Sequence, residues 1–170
     1  MSPNEKVAKI LASNRYLTLA TSGWSGKSWA SPLAYTIEPD FSLLFYSARN
    51  SIHSTNISKR SRVAGAIFDS TEPSDTVDGL QFLGRAAEFS GNSAELSAAM
   101  DRYFRQSFPD AAVRAKWVRP VSDFEGRAPQ RFYRIELADL FTIDPASTKV
   151  DRRLRLDVRS VKTAYEALSR

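Results

Sequence analysis

The chain has 170 residues, 42% hydrophobic and 25% charged, which suits one globular domain with its own core and is short for two. It has no cysteine and one histidine, so disulfides and cysteine-built zinc sites are excluded and no metal site is expected. Net charge is +5, and the tail from Lys149 onward holds seven bases and three acids against 17 and 16 in the rest, which disfavours a general nucleic-acid coat.

The chain opens with Ser2 as a helix cap, Pro3 at the first helical position and Glu5 at the third. Val7, Ile10 and Leu11 share one face, and the helix closes near Asn14. "RYLTLATS" alternates Leu17, Leu19 and Thr21 against Tyr16, Thr18 and Ala20, which predicts a strand. Gly23 and Gly26 mark a turn. "WASPLAYTIE" reads as one strand, with Pro32 requiring an edge or bulge. After the turn "PDFS", "LLFYSA" is the next strand, rich in large apolar residues.

Ser51 is the expected cap of a short helix that turns Ile52 and Ile57 inward. "RVAGAIFDS" reads as strand, and "TEPSDTVD" as a polar loop holding Pro73. "GLQFLGRAAEFS" is a long strand in which Gly84 suggests a bulge. A helix over 92–108, capped by Asn92 or Ser93, spaces Leu96, Met100, Tyr103 and Phe104 on one face. A second short helix follows in "DAAVRAKWV", then a strand in "QRFYRIELADLFTIDP" and a tail that begins as strand and ends helical.

Successive strands joined by short turns imply antiparallel pairing, and strands flanked by helices imply a mainly β, α+β barrel. There is no regular strand–helix alternation and no glycine-rich nucleotide motif, which argues against a dinucleotide-binding doubly wound sheet or a P-loop. No apolar run approaches the roughly 20 residues of a membrane span. Glu5, Lys6 and Lys9 do not suit a signal peptide, and the lack of cysteine fits a cytoplasmic setting.

His53 lies in "FYSARNSIHSTNIS". Ser47, Ser51, Ser54 and Thr55 offer hydroxyl donors there, Arg49 and His53 offer cations, and the helix start attracts anions. The alternative is plain: Ser51 caps the helix and His53 is solvated on its surface. A catalytic triad on His53 is disfavoured, because no G-x-S-x-G elbow is present. With so few catalytic templates, any redox chemistry would come from a cofactor.

The run "RYLTLATS…GKSWASPLAYTIEPDFSLLFYSARNSIHSTNISKRSRVAGAIFD…GLQFLGRAAEF" resembles the pyridoxamine 5′-phosphate oxidase-like, FMN-binding split β-barrel superfamily. The likeness covers residues 10–90, with a looser match through "FYRIELADLFTID". It looks most like a small branch of that superfamily.

The resemblance implies a six-stranded antiparallel split barrel over residues 1–148. The basic tail, 149–170, is part of the same domain or an appended helix. It implies a homodimer with FMN at the interface, and a flavoprotein that passes electrons from a nicotinamide donor to a small-molecule acceptor or oxygen. Related barrels make a non-catalytic flavin- or haem-binding module, or a deazaflavin-dependent reductase, the alternatives.

By position, Ser31, Pro32, Leu33 and Ala34 would line the flavin ring and ribityl chain. Tyr46 and Ser47 would lie near the ribityl and phosphate. Ser51, Ile52 and His53, helped by Arg49, would bind the phosphate, and Gln81 would approach the ring across the interface. The oxidase itself has arginine at the position of Ser31 and lysines at those of Thr36 and His53. The chain therefore keeps one strong phosphate cation, His53, with Lys59, Arg60 and Arg62 nearby to compensate. Its tail "VDRRLRLDV" lacks the oxidase's arginine–histidine substrate pattern, which argues against vitamin B6 oxidation. A charged His53 would hold phosphate best at low pH.

Overall fold

The first helix, α1 (Pro3–Ser13), starts where its capping box dictates: Ser2 Oγ accepts from the Glu5 amide, and Glu5 accepts from the Ser2 amide. The computed structural model describes residues 1–71, 78–147 and 152–168. The strands are β1 (Tyr16–Ser22), β2 (Ser28–Ala34), β3 (Thr36–Ile37), β4 (Leu43–Ala48), β5 (Arg62–Phe68), β6 (Gly79–Glu88), β7 (Gln130–Ile143) and β8 (Arg153–Leu156). The other helices are α2 (Ile52–Lys59), α3 (Ser93–Ser107), α4 (Ala111–Ala115) and α5 (Val158–Leu168). Most of the loop expected around Pro73, and the boundary expected after residue 148, lie outside the described residues.

All strand pairs are antiparallel, and the path runs β2-β1-β5-β6-β7-β4-β3, with β8 on β7. This is the expected mainly β, antiparallel split barrel, but the path has seven strands rather than six. The difference arises at Tyr35. Its amide donates to the Arg15 carbonyl at 3.2 Å, and its hydroxyl donates to the Leu11 carbonyl at 2.8 Å. One expected strand thus becomes two: β2 pairs with β1, and β3 with β4. These two lie at opposite ends of the path yet adjoin in sequence, so the sheet curls back on itself.

Alternation decides what each strand buries. Leu17, Leu19 and Thr21 point inward from β1, as the pattern requires. Strand β4 is different, because both of its faces are covered. Leu43 and Phe45 join the barrel core, while Leu44 and Tyr46 pack under α3 with Met100, Tyr103, Phe104, Phe124 and Phe132. Register shifts between Leu83 and Gly84, where a Cβ on Gly84 would meet the Glu136 carbonyl at 2.5 Å. The expected bulge is therefore there, and glycine is required by a close approach. Pro32 sits on β2, which pairs on one side only, so its missing N–H is harmless.

The tail closes the far end of the barrel. Val161 of α5 is fully buried, and Tyr165 tilts against Phe41 at 5.6 Å. Between β3 and α3, Glu38 is buried and paired with Arg102, and Gln106 exchanges two hydrogen bonds with the backbone of Ile37 at 3.1 and 2.9 Å. These contacts hold the aromatic side of β4 against α3.

Candidate functional site

The opening of the barrel lies between β2 and β4, which share no ladder, and α2 lies across it. Ser51 caps α2 as expected, its Oγ accepting from the Ser54 amide at 3.2 Å. The next turn sends His53 into the opening, where its ring meets Phe45 edge-on at 6.2 Å. His53 is 8% exposed, so it is neither solvated nor free. Nδ1 lies 3.0 Å from Ser31 Oγ on β2, and Nε2 lies 2.7 Å from Ser47 Oγ on β4.

The hydroxyls around the ring suit a neutral tautomer. Ser47 Oγ donates to Ser51 Oγ at 3.4 Å, and Ser51 Oγ donates to Ser54 Oγ at 2.8 Å. This arrangement suits a ring protonated on Nε2, with Nδ1 accepting from Ser31. Ser31 Oγ in turn accepts from the Trp29 indole at 3.0 Å. The chain of donors is continuous with a neutral imidazole. Burial also pushes the His53 pKa below its ordinary value.

A charged His53 was expected, and burial disfavours that form here. His53 bridges the two strands, and both ring nitrogens are engaged. Ile52, expected to face inward, is 49% exposed, because it precedes the inward turn that His53 occupies.

Ser31, Ser47, Ser51 and His53 therefore converge. Pro32 and Ala34 point to the outer face of β2, while Leu33 packs on the core. Tyr46 points away from Ser47, into the aromatic cluster under α3. Among the described residues, no hydrogen bond ties the Arg49 side chain to Ser31, Ser47 or His53. It lines a separate cavity of about 380 Å³ with Ser54, Thr55, Glu88 and Tyr133. Gln81 lies on the outer face, in one cross-strand row with Pro32, Thr18, Ala66 and Phe141. Three strand spacings, about 14 Å, separate it from Pro32. Trp29 was missed by sequence reasoning, although its i, i+2 spacing from Ser31 places both on one strand face.

At the other end of β2 a cleft of about 640 Å³ opens between Ala34, Thr36, Tyr46, Tyr103 and Trp117, where Trp117 stacks on Phe108 at 5.4 Å. Among the described residues, Thr36 Oγ1 is buried there with no hydrogen-bond partner.

A sequence profile described as pyridoxamine 5′-phosphate oxidase matches residues 3–143. The chain belongs to this family. A comparison with curated proteins finds no match. Among solved structures, a haem-binding protein from Mycobacterium smegmatis is similar at 18% identity and a TM-score of 0.68, over 98% of this chain and 61% of that one. HutZ, a haem storage protein from Vibrio cholerae, is similar at 15% identity and a TM-score of 0.65, over 83% of this chain and 94% of that one. Identities this low establish the shared family fold alone.

The donor set fits the phosphate of a flavin mononucleotide, the cofactor the oxidase family implies. The first two helical amides, Ile52 and His53, have no carbonyl partner within α2, and its dipole favours an anion. The long Ser47–Ser51 bond is the one a phosphate oxygen can replace. All these donors are neutral.

The lowered pKa fixes the sign of a pH effect. Below the unfolded histidine value, near 6.5, the unfolded chain binds a proton that the folded chain resists. Stability contributed by His53 is therefore present above that value and is lost as pH falls toward the folded one. Urea unfolding at pH 7.5 and 5.5 should show a larger loss in the wild type than in His53→Gln; equal losses would contradict a neutral bridge.

Proposed function

We propose that the chain is an FMN-binding flavoprotein of the oxidoreductase type, with the phosphate held at the start of α2. The observation that carries this reading is the convergence of Ser31, Ser47 and Ser51 with the amides of Ile52 and His53 at the barrel opening. Bound FMN would supply hydride and single-electron chemistry, with electrons from a nicotinamide donor to a small acceptor or oxygen.

The chain's own residues bind, orient and exclude water. Ser47 and the α2 amides hold the phosphate, His53 keeps the Ser47 hydroxyl aimed at it, and the backbone of residues 31–34 supports the ribityl chain and ring. The aromatic cleft beside Thr36 and Tyr46 admits a small planar substrate. No side chain is assigned as acid or base.

A haem-binding module is the second reading, favoured by the two haem-binding proteins of similar fold. Against it, the only histidine has both ring nitrogens hydrogen-bonded, so ligating iron would break the bridge. A deazaflavin would meet the same phosphate cradle. The flavin reading expects micromolar FMN binding, followed by flavin fluorescence, and a loss of about tenfold in Ser47→Ala. Absence of FMN binding, or a Soret band on titration with haemin in its place, would sink it.

A homodimer completes this proposal. The outer face of the sheet exposes Ala20, Ala30, Pro32, Phe68 and Leu83, an apolar surface suited to a second copy. It would bring a second Gln81 toward the ring. Sedimentation velocity should find a dimer, and Leu83→Glu should shift it to monomer; a monomeric wild type would count against the shared site.

A further inference from the structure

The aromatic cleft at the far end of β2 carries one charge. Among the described residues that line it, Arg15 alone is ionised at neutral pH. The acids next to the lining residues in sequence are engaged elsewhere: Glu38 with Arg102, Asp101 with Arg105, Asp110 with the Val113 amide and Glu166 with Lys162. Arg15 is exposed, and its Nη1 donates to the Ser107 carbonyl at 3.5 Å, a long bond that leaves the other guanidinium donors open.

Two further groups in the cleft lack partners. Thr36 is 4% exposed, and no hydrogen bond to its hydroxyl exists among the described residues. A buried hydroxyl left open costs stability unless something satisfies it. The Tyr35 amide donates to the Arg15 carbonyl at 3.2 Å, so Thr36 follows directly on the residue bonded to Arg15. Ser107 in turn precedes Phe108, on which Trp117 stacks 2° from parallel, so the cation and the stacked rings meet at the end of α3. Trp117 spends one face on Phe108 and is still 54% exposed.

We propose that this cleft binds a planar aromatic carboxylate, with its ring against Trp117 and its carboxylate on Arg15 and the Thr36 hydroxyl. The inference names the substrate class of the cleft, and the ligand's role as substrate rests on the flavin reading above. The single charge selects the anion. A guanidinium fork pairs with a carboxylate through two N–H donors, and one cation balances one negative charge. A phosphate dianion would keep a charge unbalanced in an aromatic setting. An ammonium would meet the Arg15 cation with no carboxylate to receive it. The rings of Tyr46 and Tyr103, 5.4 Å apart, border the same space and suit a flat ring better than an aliphatic one.

Calorimetric titration of the full chain with naphthoate, naphthamide and cyclohexanecarboxylate, with and without saturating FMN, tests this. Naphthoate should bind at least about tenfold more tightly than either of the others. Arg15→Gln should remove the preference over naphthamide, and Trp117→Ala the preference over cyclohexanecarboxylate. Both side chains are exposed, and circular dichroism checks that the variants fold. Equal affinities for naphthoate and naphthamide, no naphthoate binding in either condition, or a preference that survives its substitution overturns the inference. FMN binding in the same series then leaves the flavin reading standing. Naphthoate binding by a chain that ignores FMN supports the cleft's ligand class and overturns the flavin reading.

Discussion

One imidazole spans the gap that the sheet leaves open. Strands β2 and β4 exchange no backbone hydrogen bonds, yet Ser31 and Ser47 are tied through the two nitrogens of His53. Everything proposed for the site depends on that bridge. It ties the start of α2 to both strands and holds the ring beside the Ser47 hydroxyl, in a setting where burial disfavours its charged form. Burial disfavours the charged imidazole, and the Trp29–Ser31 and Ser47–Ser51 bonds suit a chain in which one nitrogen accepts.

The bridge exists because the chain turns at Tyr35. By anchoring on Arg15 and Leu11, Tyr35 releases β2 from β1 and hands the backbone to β4 through β3. On the proposed flavin reading, the same turn would set the cofactor's path. The backbone of residues 31–34 runs from the polar cradle at one end to the aromatic cleft at the other, so a flavin laid along it has its phosphate and ring at opposite ends. The cover of α3 over Leu44 and Tyr46 makes that cleft aromatic. The outer face beside it is apolar, as the proposed dimer requires.

Much of the fold was legible. Ser2, Ser51 and Asn92 are caps whose side chains meet the third helical amide, so local chemistry alone locates three helix starts. Strict alternation in β1 and the glycine at the β6 bulge were equally local. What stayed hidden depends on contacts distant in sequence. Nothing near Tyr35 announces that α1 will accept its hydroxyl and break a strand in two. Nothing near His53 reveals serines 22 residues before it and six residues before it. The sequence placed it with Ser47 and Ser51, and the structure sets it between Ser31 and Ser47 in a buried position that disfavours its charge. Arg49 was placed beside the phosphate because it is near in sequence, and the structure sets it with Ser54, Glu88 and Tyr133 in a cavity along α2. Trp29 was overlooked because an indole is a weak signal in a strand until its N–H is seen to bond.

Having one histidine makes the central claim directly measurable. In the ¹⁵N–¹H long-range NMR spectrum of the imidazole, every signal belongs to His53. The account predicts a neutral ring protonated on Nε2 at pH 7, a midpoint below the ordinary histidine value, and shifts of both nitrogens when FMN is added. A ring that titrates at or above that value, or one whose signals ignore saturating FMN, would contradict it.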